Sequence, residues 1–366
     1  MGVGVQGSGA GGQDNRQSSI ASRQFLIGRE SGAGVQANRQ SSIVNRQFLV
    51  DLHTDALYEH IRGRKDITQR SDKGHLDFPR MKEGGVNGQV FAVWDSPTET
   101  KPGEYCDFAF KGADAFDEVC GRCAESVAPA RTPDEFRQAV ASGRIAAVLG
   151  VEGGHALEGR LQNLDRFWER GVRVLTVTWC NSNELGDSSS DENKPHNGLS
   201  ALGRQAVRRM NELGMIVDIS HSADQTVFDI LDASQSPVIA SHSGVRARRD
   251  FNRNLTDEQI RAIGANGGVI GVVFLPYFLR DPEEQATVED VLNCIDHICQ
   301  LVGPDYAALG SDFDGFGGVL PGLEDVTKMG AIGDGLRKRG FVEPDIAKIT
   351  GLNFLRVWDA VAARAG

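Results

Sequence analysis

Long apolar runs are missing from this chain, and no basic stretch leading into an apolar segment stands at its start. The first absence excludes a bilayer-spanning helix, which needs about 20 consecutive apolar residues. The second argues against a secretory leader. Residues 357–366 carry no hydrophobic tail of the kind a lipid anchor needs. A cytoplasmic location is the expectation. Positive charge is also in deficit: 39 Lys and Arg face 50 Asp and Glu, a net charge of −11. Such a surface repels phosphate backbones and anionic lipids, so neither nucleic acid nor a membrane is an expected partner. Cysteine is sparse and scattered: Cys106, Cys120, Cys123, Cys180, Cys294 and Cys299 among 366 residues. That is no disulfide framework. Cys120 and Cys123 have the spacing of a redox or zinc pair, but no second pair follows, and they read as two cysteines on one helix face.

A chain of this length with 40% hydrophobic residues can bury a large core. Residues 1–45 stand apart, being rich in Gly, Ser, Gln and Asn. They hold a near-repeat: Asn15-Arg16-Gln17-Ser18-Ser19-Ile20 returns as Asn38-Arg39-Gln40-Ser41-Ser42-Ile43, and Arg23-Gln24-Phe25-Leu26-Ile27 returns as Arg46-Gln47-Phe48-Leu49-Val50. One repeat cannot build a solenoid, so the segment reads as a disordered extension carrying a duplicated strand entry, with a regulatory arm as the alternative. Residues 46–366 read as a single catalytic domain.

From residue 47 the chain alternates. Short β-rich runs occur at 47–52, 86–94, 145–151, 173–178, 215–220, 237–241, 267–274 and 306–310. Helix-forming segments lie between most of them, as at 132–142, 161–170, 198–213 and 224–233. Thr256 followed by Gln259 has the form of a capping box. Near-continuous apolar strands separated by helices mean a parallel sheet covered on both sides. Eight such units predict a (β/α)8 TIM-type barrel. The alternative, an open doubly wound sheet, lacks a Gly-x-Gly-x-x-Gly turn after the first strand. Gly150-Val151-Glu152-Gly153-Gly154 is glycine-rich but lacks the Lys-Ser/Thr of a phosphate loop.

Barrels of this kind place their chemistry at the C-terminal ends of the strands. Those ends carry His53 and Asp55, Glu152, Trp179 before Asn181, His221, His242, and Asp312 before Asp314. Alone, each His could be a hydrogen-bonded loop residue, and His-x-Asp a surface turn. Together, three imidazoles and several carboxylates at one mouth suffice for two metal ions sharing a carboxylate. Such a pair can hold a bridging hydroxide and polarise a carbonyl, leaving Asp312 free to take and return a proton. The glycines before His155 suggest a bend that carries it away from the first ring of ligands. His60, His75, His196 and His297 have no such placement and read as structural or surface residues.

These pieces resemble the membrane dipeptidase (renal dipeptidase-like) family of zinc peptidases with amidohydrolase-type barrels. The likeness runs from about residue 47 to 359. It is carried by Val50-Asp51-Leu52-His53-Thr54-Asp55, Gly74-His75-Leu76-Asp77-Phe78-Pro79-Arg80, Glu152-Gly153-Gly154, Asp218-Ile219-Ser220-His221, Ala240-Ser241-His242-Ser243, Arg253-Asn254-Leu255, Gly310-Ser311-Asp312-Phe313-Asp314-Gly315 and Gly351-Leu352-Asn353-Phe354. The resemblance implies two zinc ions per chain, His53 and Asp55 on one, His221 and His242 on the other, with Glu152 bridging. It also implies Asp312 as proton shuttle and Arg253 as clamp for the substrate carboxylate, which suits dipeptides, since guanidinium and carboxylate pair bidentately. A homodimer would fit the family. One departure stands out: where well-known members carry a substrate-contacting His, this chain has Trp179, which can donate one N–H but cannot become cationic. The expected function is a zinc-dependent dipeptidase. The alternatives are a related metal-dependent amidohydrolase acting on another amide, an N-acyl amino acid or a lactam, or a non-catalytic metal-binding barrel.

Overall fold

The eight β-rich runs all become strands, and every strand pairs in parallel with its neighbours. A computed structural model describes residues 48–365; the extension over 1–45 lies outside the described residues, and of the repeat only Phe48, Leu49 and Val50 lie within them. The strands are β1 (Leu49–Thr54), β2 (Val86–Trp94), β3 (Val127–Pro129), β4 (Ile145–Glu152), β5 (Val172–Thr176), β6 (Ile216–Asp218), β7 (Ile239–Ser243), β8 (Val269–Val272) and β9 (Ala307–Leu309). Their order is β2-β1-β9-β8-β7-β6-β5-β4, and β2 pairs again with β4, which closes the sheet into an eight-stranded barrel ringed by helices. The ninth, β3, lies outside the ring and pairs only with Ile145–Ala147 at the start of β4. Three residues ending in Pro129 carry no periodic signal, and proline argues against a central strand. Its place at an edge is what makes the proline tolerable.

Helices start within a residue of the predicted position at 132–142, 161–170 and 224–233, whereas the one expected over 198–213 begins at Ala201, behind its cap Ser200. Thr132 accepts a hydrogen bond from the Glu135 N–H ahead of Pro133–Ala141, and Asp224–Ala233 is a helix over its full predicted span. Thr256 and Gln259 form the reciprocal capping box at Asp257–Asn266. The cysteine pair does not lie wholly within a helix: Tyr105–Arg122 ends before Cys123, which serves as its C-cap.

The barrel interior is layered because side chains two apart in a strand share a face. Ala146, Val148, Val174, Ile216, Ile239 and Ala308 fill its lower half. The C-terminal helix Asn353–Ala362 packs with them through Phe354, Leu355, Val357, Trp358 and Val361. Each large apolar side chain buried this way stabilises the fold by roughly 1.5–3 kcal/mol. The same faces turn polar one step up: Glu152 follows Val148 and Gly150, Thr176 follows Val174, Asp218 follows Ile216, and Ser241 follows Ile239. The site therefore stands on a dry, packed floor.

Candidate metal centre

Glu152 is the centre of the cluster. As the last residue of β4, with a side chain 2% exposed, it sends one oxygen to each side. Oε2 lies 3.6 Å from His53 Nε2. Oε1 lies 2.9 Å from His221 Nε2 and 3.4 Å from His242 Nε2. The two latter imidazoles face each other nitrogen to nitrogen at 3.0 Å. On the other side His53 Nε2 is 3.3 Å from Asp55 Oδ1 and 3.8 Å from Asp312 Oδ1.

His53 and Asp55 meet, although not by strand period. A register shift between Asp51 and Thr54 breaks the alternation of β1, and His53 joins Leu52 in lining the barrel interior. Asp55 is already past the strand, at the N-cap of Ala56–Ile61. An Asp there ordinarily accepts from the helix N–H groups. Here it makes no cap hydrogen bond, which leaves its carboxylate for His53. His221 and Asp312 both have left-handed backbones, φ 67 and 62. That conformation costs about 1–3 kcal/mol outside glycine and gathers at functional sites. Gly315 makes room for the carboxylates: a Cβ there would stand 2.3 Å from Asp312 Oδ1 and 2.6 Å from Asp55 Oδ2.

The electrostatics are those of charges packed without water. Burial pushes the Glu152 carboxyl well above its usual range. Burial, with the Asp55 carboxylate adding to it, pushes Asp312 up to about 7. For His53 burial opposes the charged form, but Glu152 and Asp55 outweigh it and raise the imidazole to about 10. His221 and His242 go the other way, held well below their usual value first by burial and then by nearby Arg253 and His53. His53 Nε2, Asp55 Oδ1 and Glu152 Oε1 are buried with no hydrogen-bond partner. Buried polar atoms left unpaired are costly, and this donor set of imidazole nitrogens and carboxylate oxygens is what zinc takes. Among the described residues three overlapping triads have ligand atoms within reach of one ion: His53, Asp55 and Glu152; Glu152, His221 and His242; and His53, His242 and Asp312. The residues present therefore fit a metal centre.

The model of the membrane dipeptidase family, peptidase family M19, matches residues 37–365. The chain belongs to the membrane dipeptidase family. It is 35% identical over 295 residues to dipeptidase tcpJ of Claviceps purpurea, spanning 78% of this chain and 68% of that protein. It is 31% identical over 315 residues to dipeptidase aclJ of Aspergillus oryzae, spanning 83% and 74%. The crystal structure of dipeptidase AC, a metallopeptidase, superposes with a TM-score of 0.80 at 28% identity, over 86% of this chain and 99% of that one. A Rhodobacter sphaeroides metallopeptidase bound to a phosphinate mimic of the dipeptide L-Ala-D-Ala superposes with a TM-score of 0.79 at 28% identity, over 86% and 99%. This member of the membrane dipeptidase family is thus a peptide-bond hydrolase on a TIM-type barrel, from a family of zinc-dependent metallopeptidases. Among the described residues no helix is long and apolar enough to cross a membrane.

Arg253 is 4% exposed and backs onto β7. It donates from one terminal nitrogen to Ser243 Oγ at 3.1 Å and from the other to the His242 carbonyl at 2.9 Å. Of the five N–H donors a guanidinium carries, its buried Nε–H has no partner. Trp179 lies past the end of β5. Its ring stacks on Trp94 at 4.9 Å, and Trp94 stacks on Tyr58 at 4.2 Å. His155 turns away from the cluster. Its Nε2 is 3.2 Å from the Asp95 carbonyl, and burial holds it down at about 4. His60, His196 and His297 sit against Glu118, the Asn183 carbonyl and Asp257. His75 stacks on Phe313 and accepts from the Asp314 N–H through Nδ1 at 3.0 Å.

Periodicity alone does not single out the carboxylates beneath the ligands. Asp51, fully buried, accepts from the Ser311 hydroxyl at 2.6 Å, the Ser311 N–H at 2.7 Å and Gln89 Nε2 at 3.0 Å. Asp218 is its counterpart under β6 and β7. The available signal is spacing: Asp51 precedes His53 by two residues and Asp218 precedes His221 by three.

Proposed function

We propose that this chain hydrolyses dipeptides with zinc held by His53, Asp55, Glu152, His221 and His242, Glu152 being shared between two ions. The carrying observation is the split reach of Glu152, whose two oxygens face different imidazoles at 2.9–3.6 Å. When bound there, zinc supplies Lewis acidity toward the scissile carbonyl and lowers the pKa of water. Asp312 takes the proton released by the attacking water and returns it to the leaving amine. In the metal-free protein burial and Asp55 push its carboxyl up to about 7; a cation held beside it draws that value down, which leaves a carboxylate able to accept a proton. Asp312 could instead serve as a ligand with His53 and His242. The shuttle role is preferred because Glu152 already completes both ligand sets without it. Arg253 holds the C-terminal carboxylate of the substrate through the donors it does not spend on β7. The Trp179 ring, with Trp94 behind it, forms a flat wall beside the reacting bond.

The test is hydrolysis of a panel of L-L and L-D dipeptides by the full chain, before and after chelation and after zinc is restored. Cleavage that ignores the chelator, or none after zinc loading, overturns the reading. Trp179 also favours a second reading, a related amidohydrolase acting on N-acyl amino acids, lactams or other amides. Ranking those substrates against dipeptides by kcat/KM separates the two.

A further inference from the structure

We propose that Asp218 and Ser241 set the tautomer of His242, and so keep its Nε2 lone pair free for a metal. The consequence for metal rests on the zinc reading above; the tautomer itself does not. The argument begins with Asp218, at the end of β6 and fully buried. Its Oδ1 accepts the Ser220 N–H at 3.0 Å and the Ser241 N–H at 2.9 Å. Its Oδ2 accepts the Thr176 hydroxyl at 2.6 Å and the Ser241 hydroxyl at 2.6 Å. A carboxylate only accepts. The single proton on Ser241 Oγ is therefore committed to Asp218.

What remains on Ser241 Oγ is acceptor capacity, and 2.8 Å away stands His242 Nδ1. The third neighbour, Ser220 Oγ at 3.2 Å, itself accepts the His242 backbone N–H at 3.1 Å. It is thus free to donate to Ser241 rather than compete for its proton. With the direction of the chain fixed from the carboxylate end, the Nδ1 of a neutral His242 must carry hydrogen. The other ring nitrogen, Nε2, then presents its lone pair toward Glu152 and His221. A ligating imidazole ordinarily has its second nitrogen fixed by a carboxylate or carbonyl. Here the carboxylate acts through an intervening hydroxyl, which makes Asp218 and Ser241 positioning residues.

Asp218→Asn is the decisive variant, because it keeps the shape and reverses the polarity. The amide oxygen can still take both backbone N–H groups, while the amide nitrogen donates to Ser241 Oγ. The Ser241 proton is then released toward His242 Nδ1, and hydrogen moves to Nε2, where it blocks the metal. Ser241→Ala removes the relay without imposing the wrong tautomer, and Ser241→Thr keeps the hydroxyl. The readouts are the imidazole 15N–1H correlations of His242 in zinc-stripped full-length protein, and zinc affinity by competition with a chromophoric chelator. The proposal expects Nδ1–H in the parent protein and Nε2–H in Asp218→Asn. Zinc affinity should fall roughly 100-fold in Asp218→Asn, roughly 10-fold in Ser241→Ala, and recover in Ser241→Thr. An Nε2–H tautomer in the parent protein overturns it, as does an unchanged tautomer in Asp218→Asn. So does Ser241→Thr behaving like Ser241→Ala, which would mean simple packing. A tautomer that shifts as expected while zinc affinity stays put leaves the relay standing and overturns the zinc assignment.

Discussion

The two sides of the centre are built from different chemistry. On the β1 and β9 side, one imidazole stands among carboxylates: His53 with Asp55 and Asp312, raised to about 10 by the acids around it. On the β6 and β7 side, two imidazoles face each other, and burial keeps both well below their ordinary value. Without metal, the first side favours a protonated imidazole and the second favours neutral ones. The difference teaches what a carboxylate buried between the two sides lacks. Glu152 sits where an acid-rich half and an imidazole half meet, and with burial pushing its carboxyl well above its usual range neither half stabilises its charge, which leaves that work to a cation. It also frames a division of labour in the proposed site: both sides ligate metal, and the acid side adds Asp312 as the proton carrier.

Glu152→Gln should break both halves at once. The amide still reaches both sides but carries no charge, and its nitrogen cannot ligate. Losing several kcal/mol of transition-state stabilisation corresponds to a fall in kcat of roughly a thousandfold or more. Metal analysis after dialysis should show loss from both sides. Asp312→Asn should break only the division of labour. Turnover is expected to fall about 10²–10⁴-fold while zinc content matches the parent protein. If zinc is lost as well, Asp312 is a ligand, and the triad it forms with His53 and His242 is the correct grouping.

The contrast was only partly legible in the amino-acid order. The barrel was, because apolar runs recur eight times with helix-forming segments between most of them, and both signals are local. Glu152 was legible because it stands at the C-terminal end of an apolar run, where barrels of this kind carry their chemistry. His53 was legible from its place at the end of the first apolar run, although the shift in β1 turns its side chain inward and Asp55 arrives from the following turn. Strand β3 stayed hidden because three residues carry no period. The carboxylates under the ligands were hidden for another cause. Asp51 and Asp218 matter through hydrogen bonds to residues 260 and 23 positions away, and sequence periodicity does not report pairings across strands.

The acid side also depends on a pair outside the cluster. Lys65 Nζ meets Asp314 Oδ2 at 2.5 Å, each side chain 2% exposed, two residues beyond Asp312. Burial alone would raise the Asp314 carboxyl, but hydrogen bonding to His75 and the Lys65 ammonium outweigh it and hold it below the usual carboxylate range. A depressed folded value stabilises the protein at pH above the unfolded value, and that contribution is lost as pH falls through the folded one. Lys65→Met should leave Asp314 buried without its cation. The expected cost is about 3–5 kcal/mol in urea unfolding, with acid unfolding beginning at a higher pH. Unchanged acid unfolding would mean that the bonds from His75 alone hold the loop.

The smallest effect is expected at the aromatic stack past β1, β2 and β5. Tyr58 follows β1, Trp94 ends β2 and Trp179 follows β5, and their rings stack in that order at 4.2 and 4.9 Å. Trp179→His removes one step of this ladder, a loss of about 0.5–1.5 kcal/mol from the ring pair. It leaves every ligand in place, so zinc content should not move. For small dipeptides kcat/KM should change less than about tenfold, the range one such contact corresponds to. Dipeptides that rest a large flat side chain against the wall should lose the most, and polar ones should lose least or gain. A uniform drop across the panel would place Trp179 at the reacting carbonyl rather than at the side chain, and would make the stack part of the imidazole side.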